Sequence, residues 1–132
     1  MKVLIVDDEL VSRKKMQSIM AQFASCEAAE TGGQALESFK KAWDNWTPYD
    51  LISLDISMPD MNGMDVLFEI REMEKDRGIP MERKVKIMMV TSHADKDTII
   101  TAVTAGCDNY IVKPFNRTSV VSKLSKLGFQ VS

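Results

Sequence analysis

The chain has 132 residues, 45% of them hydrophobic and 27% charged, with a net charge of −2. That suits one globular domain able to bury a sizeable core, since domains cluster near roughly 100–150 residues. Weak acidity argues against a nucleic-acid binder, which needs a basic surface, and no stretch approaches the ~20 apolar residues of a membrane helix.

Apolar runs of strand length alternate with helix-period segments. Val3 to Val6 reads as a first buried strand. A helix follows, with Met16, Ile19, Met20 and Phe23 at i, i+3, i+4 and i+7. Cys26 to Ala29 is a short second strand of poor strand propensity. Thr31-Gly32-Gly33-Gln34 has the form of a capping box. It opens a helix with Leu36, Phe39, Ala42 and Trp43 on one face.

Leu51 to Leu54 is the third strand and stops at Asp55. Ser57 to Gly63 is a loop, because it holds Pro59, Asp60, Asn62 and Gly63. Asn62-Gly63 also suits a hairpin, but Val66, Leu67, Ile70 and Met73 continue at helical spacing. Asp76 to Lys84 is a charged connection. Val85 to Val90 is the fourth strand and Asp95 to Ala105 a fourth helix, with Gly106 at its end. Asn109 to Val112 is the fifth strand. Asn116 caps a last helix carrying Val120, Val121, Leu124 and Leu127.

Five strand–helix repeats with near-continuous apolar strands predict an α/β fold. Its five-stranded parallel sheet is doubly wound, with helices on both faces. Residues 1–132 read as a single domain without repeats, and no effector domain is expected after the last helix. The apolar run after Met1-Lys2 is too short for a signal peptide, so a cytoplasmic protein is expected. Cys26 and Cys107 read as buried free thiols rather than a disulfide framework. Arg13-Lys14-Lys15 reads as the solvated face of a helix.

Open parallel sheets bind ligands outside the carboxyl ends of their strands. Asp7 and Asp8 follow strand one, Asp55 strand three, Thr91 and Ser92 strand four, and Lys113 strand five. Three carboxylates held together repel one another unless a cation or a proton intervenes. Mg²⁺ (or Mn²⁺) is the natural ion, because it takes oxygen ligands and needs only one or two carboxylates. With Lys113 as a second positive charge and Thr91 as a hydroxyl donor, the set suits phosphoryl transfer to a carboxylate nucleophile. Taken singly, each residue has an ordinary reading. The aspartates would be caps or turn residues, Lys113 a solvated charge, Tyr110 a half-buried strand aromatic and His93 an exposed loop residue.

Four segments carry a resemblance: VLIVDDE (Val3 to Glu9), LDISMPDMNG (Leu54 to Gly63), VTS (Val90 to Ser92) and AGCDNYIVKPF (Ala105 to Phe115). In this order, each at a strand end, they resemble the response-regulator receiver family of two-component signalling systems over nearly the whole chain. The family's flavodoxin-like strand order is 2-1-3-4-5. The resemblance implies that Asp55 is the phosphoacceptor and Asp8 a direct Mg²⁺ ligand. Asp7 would act largely through coordinated water, and the Ser57 backbone carbonyl would be a further ligand.

It also implies that Thr91 and Lys113 contact the phosphoryl oxygens, and that Tyr110 is the aromatic switch residue whose orientation follows Thr91. Lys113-Pro114 matches a peptide bond that is usually cis in the family; only an X-Pro bond makes cis inexpensive. Ser57 and His93 match variable positions that tune dephosphorylation. The implied protein is a signalling switch rather than a dedicated enzyme. A histidine kinase or phosphotransfer protein would load it. A target protein would dock on the fourth helix, fifth strand and fifth helix, and the chain would be a monomer or weak homodimer.

Two other classes fit less well. A flavodoxin-like FMN carrier needs a Ser/Thr/Gly-rich loop after strand one, where Asp7 and Asp8 would repel the FMN phosphate. An aspartyl phosphatase usually places its nucleophile after strand one with a second Asp two residues later, and here Asp7 is followed by Asp8 and Glu9.

Overall fold

The apolar runs become the strands of one sheet. A computed structural model, which describes residues 1–93 and 95–131, gives β1 (Lys2–Val6), α1 (Leu10–Met20), β2 (Ser25–Ala29), α2 (Gly32–Asp44) and β3 (Leu51–Asp55). These are followed by α3 (Gly63–Asp76), β4 (Lys86–Thr91), α4 (Lys96–Ala105), β5 (Asn109–Val112) and α5 (Arg117–Lys126). The strands pair in the order β2-β1-β3-β4-β5, every pair parallel.

Side chains of β1, β3 and β4 alternate between two cores, which is why these strands are apolar along most of their length. Leu4, Val6, Ile52, Leu54, Ile87 and Met89 face Phe39 of α2, Leu67 and Ile70 of α3 and Ala102 of α4. Val3, Ile5, Leu51, Met88, Val90 and Ile111 face Met16 and Met20 of α1 and Val120 and Leu124 of α5. Each fully buried Leu or Ile contributes about 1.5–3 kcal/mol to this arrangement. Side-chain caps start four helices: Thr31, Asn62, Asp95 and Asn116 each accept the backbone N–H three residues on. A cap of this kind is worth about 1 kcal/mol.

Several expectations need correction. Arg13 is buried rather than solvated, because its guanidinium donates to the Asp7 carbonyl at 3.0 Å and meets Glu30 at 3.3 Å. α1 ends at Met20, so Phe23 lies beyond it, under the guanidinium of Arg117. Gln34 does not complete the capping box on Thr31; its side-chain oxygen accepts the N–H of Glu30 instead. Cys26 is only partly buried, because β2 is an edge strand and Ala29 is its one buried residue. β4 starts and ends one residue later than expected. The charged connection before it holds a short 3₁₀ turn, Met81–Arg83.

Candidate functional site

Parallel register decides which side chains meet. Val6 lies beside Leu54, Asp55 beside Val90, and Thr91 beside Val112. Asp7, Asp55, Thr91 and Lys113 therefore come to one edge, although up to 106 positions separate them in the chain. Asp7, Asp8 and Asp55 each present a carboxylate oxygen, all within 4.8 Å of one another. Asp7 and Asp55 are buried and Asp8 is exposed, so the cluster has two fixed anions and one mouth. Hard oxygen donors at this spacing fit a divalent cation such as Mg²⁺.

Lys113 supplies the positive charge. Its Nζ stands 3.3 Å from Asp7 Oδ2, 3.4 Å from Asp55 Oδ2 and 3.7 Å from Glu9 Oε1. The Lys113–Pro114 bond is cis, as the resemblance implied, and the Lys113 amide donates to the Thr91 carbonyl at 2.8 Å. Burial alone would lower the lysine's pKa, but the carboxylates of Asp55 and Asp7 outweigh it and raise the value.

Asp55 is pushed up to about 6, first by burial and then by the negative charge of Asp7. Lys113 and the Ser57 N–H, which donates to Asp55 Oδ1 at 3.2 Å, oppose the shift. Glu9, exposed at the surface, is held low by the hydroxyl of Ser12 and the charge of Lys113.

The backbone around Asp55 is tight. The Ile56 amide donates to the Val90 carbonyl, and the Gly63 amide to the Ile56 carbonyl at 2.7 Å. A Cβ on Gly63 would lie 2.2 Å from the Asp55 carbonyl oxygen, so the close approach, not a left-handed φ, demands glycine there. Asp60 ties the same loop to α2 by accepting the N–H groups of Gly32 and Gly33 at 3.3 and 3.4 Å.

Not every expected group converges. The Thr91 hydroxyl is turned to its own loop, donating to the His93 carbonyl and accepting the His93 amide. Tyr110 is half-buried, with the Lys123 ammonium 4.8 Å from its ring. Glu9 and Arg13 were missed by sequence reasoning. Glu9 could have been found from its place directly after Asp8, whereas nothing distinguishes Arg13 from the exposed Lys14 and Lys15 beside it.

An open parallel sheet carrying paired carboxylates, a further buried carboxylate and a lysine at its carboxyl edge is the arrangement of a phosphoryl-accepting signalling domain. Residues 3–125 match the model of the family described as "Response regulator receiver domain". The chain is 34% identical to chemotaxis protein CheY-3 of Vibrio cholerae over 129 residues, 96% of this chain and 91% of that protein.

Among solved structures, chemotaxis protein CheY4 of Vibrio cholerae superposes with a TM-score of 0.81 at 26% identity, covering 95% of this chain and 96% of that one. The receiver domain of Ssk1 from Saccharomyces cerevisiae, co-crystallised with the histidine phosphotransfer protein Ypd1, gives a TM-score of 0.85 at 26% identity, covering 97% and 88%. The chain belongs to the response regulator receiver family and is a phosphoacceptor switch of two-component signalling. The CheY of Borrelia burgdorferi, another structural neighbour, was solved in complex with CheX, BeF3 and Mg²⁺.

Proposed function

We propose that Asp55 accepts the phosphoryl group, with Asp7, Asp8, Asp55 and the Ser57 carbonyl holding Mg²⁺. The observation that carries this is the meeting of Lys113 with Asp55 at 3.4 Å inside a three-carboxylate cluster. A phosphohistidine of a kinase or phosphotransfer protein is the donor, by likeness to the Ypd1–Ssk1 pair. An Asp55 carboxylate oxygen attacks phosphorus in line. The new P–O bond forms as the P–N bond breaks, and the imidazole leaves as the neutral base once protonated. Magnesium bound at the site supplies charge neutralisation for the phosphoryl oxygens. Lys113 moves its ammonium from the carboxylates to those oxygens, and Thr91 exchanges its bonds to His93 for one to the phosphoryl group. The chain catalyses only its own phosphorylation and dephosphorylation.

α4, β5 and α5 form the output face, on the cytoplasmic side of signalling. Ile100, Val103 and Val112 are exposed there. Of this face, α5 carries Arg117, Lys123 and Lys126 and no acidic residue, so an acidic target would be favoured. Intact mass after treatment with acetyl phosphate tests the acceptor. One phosphoryl group should add only with divalent metal present, and Asp55→Asn should abolish the gain. Labelling elsewhere in the wild type would reject Asp55.

A further inference from the structure

α4 is held very differently at its two ends. At its carboxyl end, Arg71 of α3 spends its whole guanidinium on one junction. Nε donates to the Gly106 carbonyl at 3.0 Å, Nη2 to Asp108 Oδ2 at 3.0 Å, and Nη1 to the Val85 carbonyl at 2.9 Å and to Glu74 Oε1 at 2.6 Å. Glu74 has no exposed surface and takes the Val85 amide at 2.8 Å, while Asp108 takes the Ile87 amide at 2.8 Å. One side chain therefore ties α3, the start of β4 and the turn between α4 and β5. Gly106 has φ +108°, and a Cβ there would come within 3.2 Å of Arg71 Nε, so the turn is shaped to admit the guanidinium.

Among the described residues, the amino end has no such tie. Asp95 caps only its own helix, through Thr98. Among the described residues of α4, Ala102 alone is buried. Thr98 and Thr101 border an open groove of about 650 Å³ whose other wall is Asp8, Ser57, Met58 and Met64. Upstream, His93 is held by the Thr91 hydroxyl, which must turn if it is to meet a phosphoryl group.

We infer that Arg71 is a positioning residue that anchors the carboxyl end of α4, so that α4 answers phosphorylation by moving at its amino end over the groove and turning about Gly106. This rests on Asp55 as the acceptor. The anchor converts a local change at Thr91 into a rotation of α4 rather than a shift of the whole helix, because charge-assisted bonds at one end outlast the weak contacts at the other.

Amide hydrogen exchange and chemical shifts, with and without acetyl phosphate and Mg²⁺, test this residue by residue. In the wild type, phosphorylation should alter the amides of Asp97 to Ile100 and leave those of Cys107 and Asp108 unchanged. Arg71→Ala should speed Cys107 exchange by about tenfold or more, the loss expected for charged hydrogen bonds, even without phosphorylation. In the phosphorylated variant the shift changes should then reach Asp108. Arg71→Lys, which can meet Glu74 but cannot span Gly106 and Asp108 together, should speed Cys107 exchange similarly while keeping the fold, and it decides the matter if the alanine variant does not fold. Unchanged Cys107 exchange in the lysine variant, or wild-type changes at Cys107 as large as those at Thr98, would overturn the anchor. A wild-type protein that gains no phosphoryl mass speaks against Asp55 instead, and the Cys107 exchange of unmodified protein still judges Arg71.

Discussion

Thr91 and His93 close a small ring at the end of β4: the threonine hydroxyl donates to the His93 carbonyl at 2.9 Å and accepts the His93 amide at 3.0 Å. Each neutral bond is worth about 0.5–1.5 kcal/mol, and a bond to a charged phosphoryl oxygen about 1.5–3 kcal/mol. The exchange is therefore close to balanced, which is what a two-state switch requires. Thr91→Ala removes the ring in the resting state and the new contact in the phosphorylated one. We expect it to accept a phosphoryl group on Asp55 but to show much smaller phosphorylation-induced shifts at His93 and Tyr110, measured by NMR. Shifts of wild-type size would show that the ring is not part of the switch.

Lys113 balances three carboxylates at once. Its own raised pKa means that the lysine keeps its charge until the pH passes the ordinary lysine range. Lys113→Ala should therefore destabilise the metal-free protein by about 1–3 kcal/mol at pH 7.5, less than a fully buried broken pair because the side chain is partly exposed. The penalty should shrink when Mg²⁺ replaces the lost charge and when pH falls below about 6, where Asp55 is neutral. Chemical denaturation with and without Mg²⁺ measures both effects. Asp55 should still be phosphorylated, with weaker shifts around Tyr110 and α5.

For Asp55 itself the pH dependence has the opposite sense to a paired carboxylate. Its folded value, about 6, lies above the ordinary 3.8, so the native state binds the proton more tightly than the unfolded chain. The stabilisation from that proton is complete below pH 3.8 and is lost as pH rises through 6. Above that, the ionised carboxylate is a net cost, at most ~3 kcal/mol. Asp55→Asn cannot ionise, so in metal-free buffer it should be more stable than wild type by about 1–2 kcal/mol at pH 7.5, with the gain gone near pH 4. A gain independent of pH would reject this electrostatic origin.

Magnesium should bind the native state alone, since the unfolded chain does not assemble Asp7, Asp8 and Asp55. At a hundred times its Kd it should add about 2.7 kcal/mol of stability, reversed by chelator. Asp8→Ala should weaken calorimetric Mg²⁺ affinity about tenfold or more, because a direct carboxylate is removed. Undiminished affinity would exclude Asp8 as a ligand.

Gly63 tests the backbone that holds the site. Any side chain there meets the Asp55 carbonyl oxygen at 2.2 Å and Ile56 Cα at 2.8 Å. Gly63→Ala should cost about 2–4 kcal/mol, as over-packing against rigid backbone does, and should slow phosphorylation by displacing Asp55. Gly33→Ala, where the nearest atom is 4.0 Å away, is the control and should cost little. Equal effects of the two changes would contradict a local clash.

The sequence by itself determined the elements, because continuous apolar strands, 3.6-period helices and side-chain caps are local patterns. Even the poor β2 segment was placed by the alternation around it. It also determined which polar residues end strands, and so which ones a parallel sheet must bring to one edge. Only the tertiary structure decided how those residues share their charges. Lys113 meets Glu9 as well as Asp7 and Asp55, while Thr91 is engaged by His93. Arg13, read as solvated, holds the Asp7 carbonyl, and Arg71 joins α3 to β4 and the α4–β5 turn. Long charged side chains reach 6 Å or so from the backbone and choose partners from other elements. Their burial therefore depends on packing between segments distant in the chain, which no local pattern records.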